Sequence, residues 1–408
     1  MKILYSIHQF FPKYYTGTEK YLFNLATIMQ KLGHEVRVIT YDPGIPKKQQ
    51  TEELQLNNYI FQGIPVTSLK CKNENDYTSF DLTNNTVKQY FSNLFQQEKP
   101  DIFHITHPMR MTSAFWAAKE LNLKTVITLT DYWLMCGKGI LLRNDDSPCL
   151  SPKDGLNCKK YCYKQLPFKQ LESRVEEARR IFKKADALIA SAKYLVELFK
   201  YNKYDVSRLK LIRHGFNYFD NFTPINSKPK KYFSIVSTGS LLPHKGAHLL
   251  IEAFKKIKNK TNLQLKIYGT TYGNASYMKF LEKLKDDDKR ISFEGAYSVK
   301  DTAAIHQDAD LIVQPSLWFE TYPLVCVAAL VYGVPIVVPD LTGASELVQH
   351  GQNGFIFKFG DANSLAEQLS IAIDTNLKKN KVIFYPQSIE SEAIATEKIY
   401  YQVLNSKK

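Results

Sequence analysis

The stretch Tyr232-Phe233-Ser234-Ile235-Val236-Ser237-Thr238-Gly239-Ser240-Leu241-Leu242-Pro243-His244-Lys245-Gly246 decides the fold. Six residues of strand pattern run into a glycine-containing turn, and the amphipathic helix Ala247–Phe254 follows at once. A strand that feeds a helix through a short turn is half of a βαβ unit. Further strand candidates follow at Leu263–Tyr268, Ile291–Glu294, Leu311–Gln314 and Pro335–Pro339, separated by helical periods. This predicts a doubly wound, mainly parallel sheet.

The same alternation runs through the first half, with strands predicted at Lys2–Ile7, Glu35–Thr40, Asp101–Thr106, Lys124–Thr130, Ala187–Ala190 and Lys210–His214. The expected class is therefore α/β with two Rossmann-like domains. At 408 residues the chain is too long for one ordinary core. The expected division is an N-terminal domain over 1–216, a Pro- and Asn-rich linker over 217–231, a second domain over 232–386, and a helix in 387–408 that packs back on the first domain. Within the first domain, 136–169 fits neither template and reads as a cysteine-rich insertion. The helix after it places Leu171, Val175, Ala178 and Phe182 on one apolar face, which is core packing.

The charge balance of +14 is unevenly placed. Residues 151–250 hold 20 Lys and Arg against 8 Asp and Glu, a local excess of +12, whereas 301–350 hold no Lys or Arg. Such a patch suits anionic lipid headgroups or a lipid-diphosphate acceptor, or else is a solvated surface. Nucleic acid is not expected as a partner, because no binding motif accompanies the charge. The first residues read as a strand rather than a signal peptide, and the apolar run Leu324–Val338 is broken by Gly333 and Pro335. The expected location is cytoplasmic, at the inner face of the membrane.

Three strand-to-helix turns carry candidate chemistry. Ile7-His8-Gln9-Phe10-Phe11-Pro12 leads to Gly17-Thr18-Glu19 at a helix start, where free N–H groups suit a phosphate. Lys245 and Gly246 offer compact positive charge and backbone donors beside the next helix. Gln314-Pro315-Ser316-Leu317-Trp318-Phe319-Glu320 leaves a strand, and Pro323 is expected at the first position of the helix that follows.

The series Gly-x-x-x-x-His-Lys-Gly, Pro-Ser-Leu-Trp-Phe-Glu-Thr-Tyr-Pro, Gly333-Val334-Pro335-Ile336-Val337 and Gly343-Ala344-Ser345-Glu346 resembles the family 4 retaining glycosyltransferases of the GT-B fold. Gly17-Thr18-Glu19, Arg213-His214-Gly215 and Gly351-Gln352-Asn353-Gly354-Phe355 extend the likeness over nearly the whole chain. The resemblance implies two domains with a cleft between them, a UDP- or GDP-sugar on the second, UDP favoured, and an acceptor on the first. It also implies surface polysaccharide synthesis, with a glycan or polyprenyl-diphosphate-linked acceptor, and catalysis without a metal cofactor.

Carried over, Lys245 contacts the diphosphate, Glu320 the sugar, and the backbone of Tyr322, Pro323 and Leu324 the sugar and phosphates. Gly17 and Thr18 border the diphosphate, and Gly269 and Tyr297 line the base side. Asp131, at the end of the strand Val126–Thr130, is the expected acceptor-side catalytic residue; His107, after another strand, competes with it or is a buried structural histidine.

Two donor-site positions depart from the family pattern. Ser240 stands where an arginine normally partners the lysine, and Ala328 where a second glutamate normally holds the ribose. A non-catalytic protein with a degenerate donor site is therefore the alternative.

Cys136, Cys149, Cys158 and Cys162 all fall in the insertion. Reduced thiols clustered in a loop without its own core suggest a structural zinc site, with an iron–sulfur cluster, paired disulfides or free thiols as the alternatives.

Overall fold

In the computed structural model, residues 1–42, 53–71, 82–216, 231–257, 262–271, 273–377 and 384–406 are described. The predicted linker lies outside them except for its last position. Two units divide the chain: Met1–Gly215 together with Gln387–Lys408, and Phe216–Pro386.

The strands of the first unit are β1 (Lys2–Ile7), β2 (Glu35–Tyr41), β3 (Leu54–Phe61), β4 (Ile64–Cys71), β5 (Ile102–Ile105), β6 (Lys124–Leu129), β7 (Ala187–Ala190) and β8 (Leu209–Leu211). Its helices are α1 (Gly17–Lys31), α2 (Asn85–Glu98), α3 (Thr112–Glu120), α4 (Leu156–Tyr161), α5 (Phe168–Lys184) and α6 (Lys193–Tyr201). The sheet order is β3-β4-β2-β1-β5-β6-β7-β8, and every pairing except β3 with β4 is parallel. Strands such as Lys2–Ile7 are apolar on both sides because helices cover both faces of a parallel sheet.

The β3–β4 hairpin is not among the predicted elements. Its strand β3 exposes Leu56, Asn57, Asn58 and Ile60, so no buried alternation announces it. Gln62 and Gly63, both at positive φ, make the two-residue turn that joins it to β4. The predicted face of α5 holds: Leu171, Val175, Ala178 and Phe182 are all buried.

The second unit has β9 (Phe233–Thr238), β10 (Leu263–Tyr268), β11 (Ile291–Gly295), β12 (Leu311–Val313), β13 (Ile336–Pro339) and β14 (Gly354–Phe357), ordered β11-β10-β9-β12-β13-β14 and parallel throughout. Helices α7 (Ala247–Lys256), α8 (Ala275–Lys285), α9 (Thr302–Asp308), α10 (Leu324–Val331) and α11 (Ala362–Thr375) accompany it. The last helix, α12 (Ile389–Asn405), belongs to the first unit and packs along α1, burying Ala393, Ile399, Tyr400 and Val403. Among the described residues no helix is long and apolar enough to cross a membrane.

Strand order reverses between β1 and β5 in the first sheet and between β9 and β12 in the second. Open α/β sheets bind ligands beyond the carboxyl ends of their strands at such switch points. Gly17, His107, Lys245 and Glu320 stand beyond the ends of these four strands, and Asp131 beyond the neighbouring β6.

Candidate functional site

In the second unit, Pro243–Lys245 makes one 3₁₀ turn after β9, and Gly246 caps it at φ +75° before α7 begins. The carbonyl of His244 accepts from the Leu317 amide at 2.8 Å, so the turn is tied to the segment leaving β12. Glycine is required at 246: a Cβ there would lie 1.9 Å from the Pro315 carbonyl oxygen. This close approach brings Lys245 against Glu320. The Lys245 ammonium donates to Glu320 Oε1 at 2.6 Å and lies 4.8 Å from the centre of the Trp318 ring.

Glu320 is buried, and its Oε1 also accepts from Ser316 Oγ at 2.9 Å, Trp318 Nε1 at 2.7 Å and Gln314 Nε2 at 3.3 Å. Among the described residues all four donors converge on Oε1 and none on Oε2. Burial pushes the carboxyl's pKa up, but the Lys245 charge and the hydrogen bonds outweigh it, holding the group below the usual carboxylate value. Glu320 thus stays ionised and fixes the lysine. Ser316, Trp318 and Gln314 are partners that sequence reasoning missed; their spacing around Glu320 was on the page, but only the folded loop shows that they converge.

Pro323 caps α10 in an extended conformation and does not occupy its first turn, which begins at Leu324. The helix still starts beside Glu320, its amino end at the carboxyl edge of the sheet, where the backbone of Tyr322, Pro323 and Leu324 was expected. Gly239, Gly269 and Gly295 end β9, β10 and β11 at positive φ and interlock through their backbones: Gly269 N–H donates to Gly295 O at 2.7 Å, and a Cβ on Gly269 would lie 1.8 Å from Gly239 O. Tyr297 meets the Tyr268 ring edge to face at 6.2 Å on the same rim. Ser240 is partly buried behind Gly239, and Ala328 is buried in the apolar α10. Neither supplies the charge its position has in the family pattern.

In the first unit, β5 and β6 are parallel neighbours, and the turns beyond them join His107 to Asp131. His107 Nε2 and Asp131 Oδ2 are 2.9 Å apart. His107 Nδ1 lies 3.2 Å from the Met109 amide, which can only donate, so Nδ1 accepts and the ring proton sits on Nε2 facing Asp131. Both ring nitrogens are committed. Asp131 Oδ1 accepts from the Trp133 amide at 2.8 Å, and the side chain remains 22% exposed against 3% for His107. The two candidates are therefore one couple, in which Asp131 meets the surroundings and His107 holds it.

The loop bearing Gly139 closes over this couple. Gly139 O accepts from the Tyr132 amide at 3.0 Å, and a Cβ at Gly139 would sit 2.8 Å from Asp131 Oδ2. Gly17 and Thr18 open α1, with Gly17 exposed and open space where its Cβ would be, so the fold itself does not demand glycine there. His8, at the end of β1, and Glu19, in the first turn of α1, are further polar groups here without an assigned role in the sequence reading. His8 stacks on His107 with ring centroids 3.9 Å apart, and Glu19 Oε1 lies 3.8 Å from His8 Nε2.

The family description "Glycosyltransferase Family 4" matches residues 15–218, half of the chain, and "Glycosyl transferases group 1" matches 219–386. The chain belongs to glycosyltransferase family 4. A curated relative, the N-acetyl-alpha-D-glucosaminyl L-malate synthase of Bacillus anthracis, is 23% identical over 420 residues, covering 96% of this chain and 94% of that protein. The putative colanic acid biosynthesis glycosyltransferase WcaL of Salmonella typhimurium is 27% identical over 150 residues, 35% of this chain and 36% of its own. Among solved structures, sucrose-phosphate synthase of Thermosynechococcus elongatus matches with a TM-score of 0.71 at 17% identity over 100% of both chains. HepE of Anabaena, solved in complex with UDP and glucose, matches at 0.64 and 20% identity, over 99% of this chain and 98% of that one. The family 4 chain shares the GT-B fold with these structures.

Among the described residues no group of three or more His, Cys, Asp or Glu is arranged to hold a metal ion, and all four insertion cysteines are free thiols. Cys149 Sγ donates to Ser151 O at 3.3 Å, and Cys162 Sγ faces Leu142 O at 3.9 Å. Burial raises the thiol pKa values of Cys149, Cys158 and Cys162, and their proximity to Cys136 raises them further.

Proposed function

We propose that this family 4 glycosyltransferase moves a hexosyl unit from a nucleotide sugar, UDP-sugar first and GDP-sugar next, to a glycan or a polyprenyl-diphosphate-linked acceptor in surface polysaccharide synthesis. The second unit takes the donor and the first the acceptor. The observation that carries this reading is the Lys245–Glu320 pair on either side of a sheet switch point, beside the amino end of α10.

Lys245 and that helix end supply positive charge for a diphosphate leaving group, so the reaction needs no metal. Glu320 Oε2 receives a sugar hydroxyl. Transfer proceeds with retention: the acceptor hydroxyl attacks from the face the nucleotide leaves, and the departing phosphate takes its proton, with Asp131 orienting the hydroxyl. The relative WcaL, a putative colanic acid biosynthesis glycosyltransferase, supports the polysaccharide context, and HepE, solved with UDP and glucose, supports a nucleotide-sugar donor. The +12 excess over 151–250 supports the reading that the enzyme works against an anionic membrane face.

Calorimetry against UDP-, GDP- and ADP-sugars tests the reading. A micromolar UDP-sugar isotherm that Lys245→Ala abolishes is expected. Ala328, buried where a ribose-binding carboxylate would be needed, favours a second reading as a binding protein with a degenerate site; absence of binding to the entire panel would select it.

A further inference from the structure

Behind Asp131 the first unit buries more polar chemistry than the couple with His107 requires. His8 leaves β1 directly beside the switch point, and its ring covers one face of His107 at 3.9 Å with a 37° tilt. Glu19 is fully buried: Oε2 accepts from Thr16 Oγ at 2.6 Å, while Oε1 has no hydrogen-bond partner and faces His8 Nε2 at 3.8 Å. His8 Nδ1 is buried without a hydrogen-bond partner as well. Burying a carboxylate and an imidazole with unmet capacity costs stability that an apolar pair would not, and such departures concentrate at functional centres.

We infer that His8 and Glu19 are positioning residues of the acceptor-side centre: Glu19 sets the orientation of the His8 ring, which stacks on His107 and holds the His107 Nε2–H on Asp131. The inference rests on the reading of Asp131 as the residue that meets the acceptor. The Met109 amide and Asp131 fix the edge of the His107 ring, leaving rotation out of its plane as the freedom that remains; His8 removes it. The charged and titratable groups facing His8 are Glu19 from α1, His107 from the turn after β5, Arg110 from the same turn, and Asp131 through His107. Burial, and then the nearness of His107 and Arg110, keep the His8 ring neutral.

The test compares wild type with His8→Ala, His8→Phe, Glu19→Gln and the His8→Phe/Glu19→Gln double variant, by turnover, pH profile, long-range ¹H–¹⁵N NMR of the imidazoles, and thermal melting. In His8→Ala, kcat falls about tenfold or more with donor KM within about twofold, since a displaced catalytic group costs rate before it costs binding. Its kcat profile against pH departs from the wild-type one, because the His107–Asp131 contact is loosened, and the Nε2–H signature of His107 is lost. His8→Phe keeps the stacked ring and restores most of the rate and the signature. Glu19→Gln lowers kcat severalfold in the wild-type background and has no further effect beside His8→Phe, where no ring nitrogen remains to orient.

An unchanged profile and signature in His8→Ala, or a Glu19→Gln loss that persists in full beside His8→Phe, overturns the inference. Should wild type turn over no nucleotide sugar, the glycosyl-transfer reading fails, while the NMR comparison still decides the positioning role.

Discussion

Lys245 Nζ donates to Glu320 Oε1 at 2.6 Å, joining the turn after β9 to the turn after β12. The pair is a hinge of consequence for stability as well as binding, because Glu320 is buried and its other partners are neutral. Removing the lysine alone strands a buried carboxylate, a defect commonly worth about 3 to 5 kcal/mol. Lys245→Ala should therefore lower the melting temperature of the protein and weaken UDP-sugar binding at least tenfold. Lys245→Ala/Glu320→Gln should recover most of the stability without recovering binding; recovery of neither, by melting and calorimetry, would show that the pair is not the source of the defect.

The same carboxylate sets a pH dependence with a definite sign. The Glu320 pKa is lower in the folded chain than in the unfolded one. Its contribution to stability is then present above the unfolded carboxyl value of about 4.3 and is lost as pH falls through that value toward the folded one. Urea midpoints at pH 7, 5 and 4 should fall for wild type and fall less for Glu320→Gln. Parallel decreases would assign the acid sensitivity to other groups.

His107 and Asp131 should behave as a unit. Asp131→Asn leaves shape but removes charge and should cut turnover by about 10²-fold or more. His107→Phe should cost less, and the double variant no more than Asp131→Asn alone, since residues acting as a unit are not additive. Gly139→Ala reaches the same couple through packing, because its Cβ would press on Asp131 Oδ2. Its expected mark is reduced kcat together with a lower melting temperature, since Gly139 sits at φ +75°. Additive losses in the double variant would separate the two residues' roles.

Two glycines in the same kind of turn should give opposite results. At Gly246 a Cβ meets the Pro315 carbonyl oxygen at 1.9 Å and φ is +75°, so Gly246→Ala must move backbone and should cost more than about 3 kcal/mol. At Gly17 nothing lies within 4 Å of the would-be Cβ. Gly17→Ala should melt like wild type. Equal melting temperatures for the two variants would refute the packing argument at Gly246.

Most of the strands were legible because those buried on both faces, such as Lys2–Ile7 and Phe233–Thr238, are continuous apolar runs followed by helical periods. The β3–β4 hairpin was not, since β3 faces water with Asn57 and Asn58, and its turn uses Gln62 where Asn is the familiar signal. Lys245 and Glu320 were legible as chemistry at turn positions. That they pair, that His107 spends both nitrogens on Met109 and Asp131, and that His8 covers its ring depend on contacts between strand ends far apart in sequence, which no local pattern encodes.

The insertion offers the last test. Cys158 is raised to about 12 and Cys162 to about 11, by burial first and by neighbouring cysteines next, and Cys149 is raised as well. Since the thiolate is the nucleophile, each unit of increase lowers the reactive fraction about tenfold at fixed pH. Iodoacetamide at pH 8 should therefore label Cys158 and Cys162 at least about 100-fold more slowly in the native protein than in urea, and Cys149 more slowly as well, as read by mass spectrometry of the peptides. Labelling at the unfolded rate would show that the loop does not bury its sulfurs. One equivalent of zinc surviving dialysis would instead replace the free-thiol arrangement with a thiolate site, because slow alkylation alone does not distinguish a protonated thiol from a metal-bound one.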